Sequence, residues 1–124
     1  MYQRGTLKSG SGDTSMSTGL TSALHILAQW QCTPNQALAI LKLDPDLPFP
    51  EVLSDEQCER VTFVLNIHSD LDTIFDDPDD IYGYMARPHD DPYYNGQSPL
   101  DLISSGDLTV FGRICWHIDA MRVN

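Results

Sequence analysis

The chain has 124 residues, 41% of them apolar, and its 18 acidic against 7 basic side chains give a net charge of −11. That length serves one domain around one hydrophobic core, and the charge disfavours phosphate, because DNA binding draws much of its affinity from Lys and Arg displacing counterions. No apolar run approaches the roughly 20 residues needed to span a bilayer, and the polar N-terminus lacks the apolar stretch of a secretory signal; a soluble, cytoplasmic protein is expected.

Residues 1–18 are rich in Gly, Ser and Thr without apolar periodicity, which reads as a flexible arm. Leu20, Ala23, Leu24, Leu27 and Trp30 then recur at helical steps and predict a first helix over 19–30 with one buried stripe. Thr33 is a good N-cap and Pro34 fits the first helical position, so a second helix is expected to about Lys42, burying Ala37, Leu38 and Leu41. Asp44 to Leu53 reads DPDLPFPEVL. Pro45, Pro48 and Pro50 each remove a backbone donor and push the preceding residue to extended geometry, which rules out a helix there.

The longest predicted helix starts after Ser54. Ser54 and Gln57 form a capping box, and Asp55 and Glu56 complement the helix dipole. Cys58, Val61, Val64, Leu65, His68, Leu71, Ile74 and Phe75 continue one face for about 20 residues, the length of a domain's spine. His68 on that stripe reads as a hydrogen-bonded packing residue. The acids of DDPDD (76–80) lack the glycine and distal glutamate of a calcium loop; they cap a short helix that turns Ile81, Tyr84 and Met85 inward. A polar loop over 87–97 follows, with an Asn95-Gly96 turn signal. Ser98 then caps a helix over 99–104, Gly106 stops it, and Asp107 caps a last helix with Leu108, Phe111, Ile114, Cys115, Ile118 and Met121 on one face. No segment alternates with a period of two. The expected fold is all-α: a compact bundle of about six helices around a long central one, divided as an arm (1–18), an N-terminal helix pair (19–53) and a C-terminal region (54–124).

Cys32, Cys58 and Cys115 are odd in number and follow no CxxC spacing, which argues for reduced thiols. His25, His68, His89 and His117 supply no ligand spacing, so no metal or other cofactor is expected. The chain has no Gly-rich phosphate loop, no G-x-S-x-G elbow and no HExxH. HDD (89–91) is its one local acid/base group and reads as solvated surface, so the chain is read as a binder with no catalytic residues.

The stretch NGQSPLDLISSGDLTVFGRICWHIDAM (95–121) resembles the C-terminal domain of the MbcA/ParS/Xre antitoxins. Gly96, Ser98, Pro99, Leu100, Asp101, Leu102 and Gly106 match its pattern of a glycine-ended loop, Ser-Pro-Leu-Asp-Leu, a short helix, a glycine break and a terminal amphipathic helix. The likeness covers about Ser54 to the C-terminus, with weaker agreement over 20–43, where the helix pair looks like the start of a degenerate helix-turn-helix. The resemblance implies an antitoxin or immunity protein that neutralises a RES-domain toxin, an enzyme that consumes NAD or transfers ADP-ribose, by occluding its NAD pocket. Where this chain departs from that family, DNA binding is expected to be lost or to depend on another surface: the third helix of a helix-turn-helix reads the major groove, and its place is taken by three prolines, three acids and no Lys or Arg. Two other readings stand beside it, a DNA-binding autoregulator of a toxin–antitoxin operon and a helical adaptor or oligomerisation module. The spine and last helices are also candidates for pairing across a two-fold axis, and relatives assemble with their toxins into higher-order complexes. The expected toxin-binding residues are Arg87, Tyr94, Asn95, Gly96, Ser98, Pro99 and Asp101 of the loop and helix start, and Arg113, Trp116 and His117 of the last helix.

Overall fold

A computed structural model describes the backbone of residues 11–122 and the side chains of residues 19–122. Six helices and no strands make up these residues: α1 (Ser11–Gln29), α2 (Pro34–Leu41), α3 (Asp55–Ile74), α4 (Pro78–Gly83), α5 (Pro99–Ile103) and α6 (Leu108–Arg122). The all-α bundle expected from periodicity is what the chain adopts. No helix among the described residues is long and apolar enough to cross a membrane.

The caps that set most boundaries are those the sequence signals. Thr33 and Ser54 each form a reciprocal capping box, with Gln36 and Gln57 respectively. Asp77 Oδ1 accepts from the Asp79 amide at 2.9 Å, Ser98 Oγ from the Asp101 amide at 3.0 Å, and Asp107 Oδ1 from the Thr109 amide at 2.8 Å. Each satisfies a donor that the first helical turn leaves without a partner. Two C-termini close without glycine. Gln31 (φ 71°) and Lys42 (φ 56°) adopt the left-handed conformation, and the amides of Cys32 and Leu43 reach back to the carbonyls of Leu27 and Leu38. This paired closure is the Schellman arrangement.

One expectation is corrected at the start of the chain. α1 begins at Ser11, so residues 11–18 of the supposed arm are helical; residues 1–10 lie outside the described part. Adding a turn to an existing helix avoids the nucleation cost, so weak formers such as Ser and Thr can extend it.

α3 is the spine. α1, α2 and α6 pack along it, α4 crosses its end, and α5 rests on α6. The buried side chains, from Leu20 in α1 to Ile118 in α6, form one continuous cluster, so the regions before and after residue 54 share a core. Val61, Val64 and Leu71 of the predicted α3 stripe are buried, and Leu65, Ile74 and Phe75 pack partly against the cluster. His68 stacks on Tyr82, with centroids 5.9 Å apart and an interplanar angle of 18°. Its buried Nδ1 has no hydrogen-bond partner.

The α3 face also carries two buried polar residues that periodicity did not mark. Arg60 is buried and donates to Glu56 at 2.9 Å, to the Ile40 carbonyl at 3.1 Å and to the Gly106 carbonyl at 2.7 Å. Its guanidinium thereby joins the C-terminal end of α2 to the turn before α6, and a cation is favourable beside the last carbonyls of a helix. Asp70, also buried, meets Arg122 Nε at 3.4 Å. Burial and the Asp119 carboxylate raise its pKa above the ordinary carboxylate value, against the pull of Arg122.

Candidate functional site

The loop between α4 and α5 folds back on itself through its own backbone. The Tyr94 and Asn95 amides donate to the Asp91 carbonyl at 2.9 and 3.0 Å, and the Gly96 amide to the His89 carbonyl at 3.0 Å. Asn95 (φ 54°) and Gly96 (φ 81°) are consecutive left-handed residues, a pair that Asn-Gly adopts at little steric cost. This reversal lets Tyr94 turn inward while Tyr93 stays on the surface.

Inside, Tyr94 is fully buried and its hydroxyl lies 3.0 Å from that of Tyr84. His89 packs over Tyr84 with centroids 4.4 Å apart and places Nε2 3.0 Å from the Tyr84 carbonyl oxygen. Burial raises the pKa of both tyrosines above the usual phenol value. Outside, Tyr93 stacks flat on His117 of α6, with centroids 4.2 Å apart and planes 2° from parallel. Tyr94 meets the same imidazole edge-on at 5.3 Å. His117 is therefore clamped between two adjacent tyrosines, which fixes the loop to the helix.

Beside this clamp, Tyr93, Leu102, Val110, Arg113 and Ile114 line a shallow cavity of about 190 Å³. Trp116, next to His117 in sequence, is 71% exposed. Trp side chains bury large areas at interface centres and lose little rotamer freedom when they do so. Trp116 is thus an exposed indole on a helix braced by the clamp.

The ten expected contact residues divide by burial. Arg113 and Trp116 are exposed on α6, His117 is half-buried, and Asn95, Gly96 and Asp101 are exposed nearby in the chain. Tyr94, Ser98 and Pro99 are buried, and their side chains hold the loop and cap α5. Arg87 is exposed but lies elsewhere: it binds Asp80 Oδ1 at 3.2 Å and the Asp79 carbonyl at 2.8 Å, in a separate cleft with Gln31, Tyr82 and Gly83. Tyr93 is the residue the sequence reading missed. Two adjacent tyrosines in a polar loop give no periodicity from which to choose the inward one.

Other chemistry is sparse. No group of three or more His, Cys, Asp or Glu placed to hold a metal occurs among the described residues. All three thiols are free, and burial pushes Cys32 up to about 12 and Cys115 up to about 11, away from the thiolate form that reacts. A scan against protein-family models, a search of curated proteins and a search of solved structures return no match to this chain.

Proposed function

We propose that this chain is an antitoxin that binds a RES-domain toxin and blocks access to its NAD pocket, with Trp116, Arg113 and the Tyr93–His117 stack as the contact surface. The observation that carries the reading is the exposed Trp116 on α6 beside a loop locked to that helix by ring stacking. A rigid aromatic anchor on an acidic protein suits a basic partner surface, and an NAD pocket needs cations for its pyrophosphate.

The segment behind the resemblance has a local structural role consistent with this reading. Gly96 (φ 81°) reverses the loop, Ser98 caps α5, and Gly106 (φ 81°) turns the chain into α6. The motif thus aims α6 and the loop at one surface.

In this reading operator DNA is not a ligand. The chain after α2 makes a turn at Asp44–Leu47, closed by the Leu47 amide on the Asp44 carbonyl at 2.9 Å, and carries acids where a recognition helix would carry cations. A mobility-shift assay with the upstream promoter should show no sequence-dependent shift at physiological salt.

The direct test is co-expression with a cognate RES-domain toxin, sought among the products of neighbouring genes. Relief of growth arrest and co-purification of the two chains are expected; persistent arrest with no complex refutes the antitoxin reading.

A further inference from the structure

The connection from α2 to α3 presents three large apolar side chains to solvent within six residues: Leu47 is 59% exposed, Phe49 71% and Val52 64%. Large exposed apolar side chains grouped in one short segment mark an interaction site more often than isolated ones do. Both ends of the segment are fixed. Leu43 and Leu53 are buried in the core, Gln57 Nε2 donates to the Lys42 carbonyl at 2.9 Å, and Ser54 is locked in its capping box.

Between those anchors the chain has little freedom to lose. Asp44 Oδ1 accepts from the Asp46 amide at 2.8 Å, and Asp44–Leu47 is a closed turn. Pro45 fixes φ within that turn, and Pro48 and Pro50 fix it at two of the remaining positions. A loop already ordered with its apolar residues outward avoids much of the ordering cost that binding imposes.

The charges around it select the partner. Asp44, Asp46 and Glu51 alternate with the exposed apolar residues, and Asp55 and Glu56 follow at the start of α3. A two-fold contact with a second copy would set these acids against each other. A partner with an apolar groove rimmed by Lys or Arg would pair them.

We propose that residues 44–53 form a second docking surface, inserting Leu47, Phe49 and Val52 into a basic-rimmed apolar groove on the partner that α6 engages. This rests on the antitoxin reading for the identity of that partner. The loop then serves protein recognition at the place in the chain where a helix-turn-helix would present its DNA-reading helix.

The test measures binding of the full chain to the catalytically inactivated RES-domain protein. Four proteins are compared: wild type, the double variant Phe49→Asp/Val52→Asp, Asp46→Lys/Glu51→Lys, and Trp116→Ala. All the changed side chains are exposed, so unchanged thermal midpoints are expected. The apolar double variant should bind at least about tenfold more weakly. The charge variant should associate more slowly at low salt, with the difference shrinking as salt rises. Unchanged affinity in the apolar variant, alongside weaker binding by Trp116→Ala, refutes the second surface and leaves the antitoxin reading standing. No binding by wild type defeats both. Sedimentation showing a wild-type dimer that Phe49→Asp/Val52→Asp dissociates, with partner affinity unchanged, assigns the loop to a second copy and overturns the proposal.

Discussion

Residues 44–53 and 88–97 are built from similar material: proline, aspartate and large side chains, with no regular structure to direct them. In the second segment, backbone hydrogen bonds and the left-handed Asn95-Gly96 pair turn Tyr94 into the core and hold Tyr93 on His117. In the first, the buried Leu43 and Leu53 fix only the ends, while Leu47, Phe49 and Val52 face solvent. The difference lies in where the core offers space. Tyr84, His89 and His117 make an aromatic socket for one inward side chain of the later loop, and Leu43 and Leu53 at the ends of the earlier loop enter the core in place of the residues between them. One loop is a structural element that braces a surface; the other is itself a surface.

Substitutions should separate these roles cleanly. Tyr94→Ala empties the socket and should destabilise the protein by about 3–5 kcal/mol, as truncation of a buried aromatic does, read as a loss of thermal or urea stability. Ser98→Ala removes the α5 cap and should cost about 1 kcal/mol. Tyr94→Phe keeps the ring and loses the hydroxyl contact with Tyr84, again about 1 kcal/mol. Phe49→Ala should change stability by no more than about 0.5 kcal/mol, because the ring is exposed. A large loss of stability in Phe49→Ala, or none in Tyr94→Ala, would erase the distinction between the loops.

Alkaline titration sharpens the same comparison. Burial holds the Tyr84 and Tyr94 phenols above their ordinary value of 10.0 in the folded chain. The folded state therefore favours the protonated phenols, and their contribution is intact below pH 10.0 and lost as pH rises past it. Urea unfolding between pH 8 and about 11 should show stability falling at the alkaline end, and falling less steeply in Tyr94→Phe. Cys32 and Cys115 act in the same direction from 9.0 upward, but they are present in both proteins and cancel in the difference. Identical slopes would contradict the buried placement of Tyr94.

Much of the fold was legible because helices announce themselves locally. Thr33, Ser54, Asp77, Ser98 and Asp107 all cap the helices that their spacing predicts, and the α3 and α6 stripes follow the 3.6-residue period. What stayed hidden depends on tertiary contact. Arg60 looks like one half of a surface pair with Glu56 until α2 and the Gly106 turn bring their carbonyls to it. The inward choice between Tyr93 and Tyr94 is made by the socket, and the exposure of Phe49 by the buried residues on either side of its loop. Within the candidate site, Arg113, Trp116 and His117 could be picked from helix spacing, whereas Arg87 could not be separated from them before its bond to Asp80 was seen.

We propose that α6 and its braced loop inhibit an NAD-consuming partner. That inhibition is tested most directly by titrating the purified chain into the RES-domain enzyme while following NAD loss, with Trp116→Ala as the comparison. Stoichiometric inhibition by wild type is expected, with an inhibition constant raised at least about tenfold by Trp116→Ala. Undiminished NAD consumption at excess wild-type chain, or full inhibition by Trp116→Ala at the wild-type constant, would contradict it.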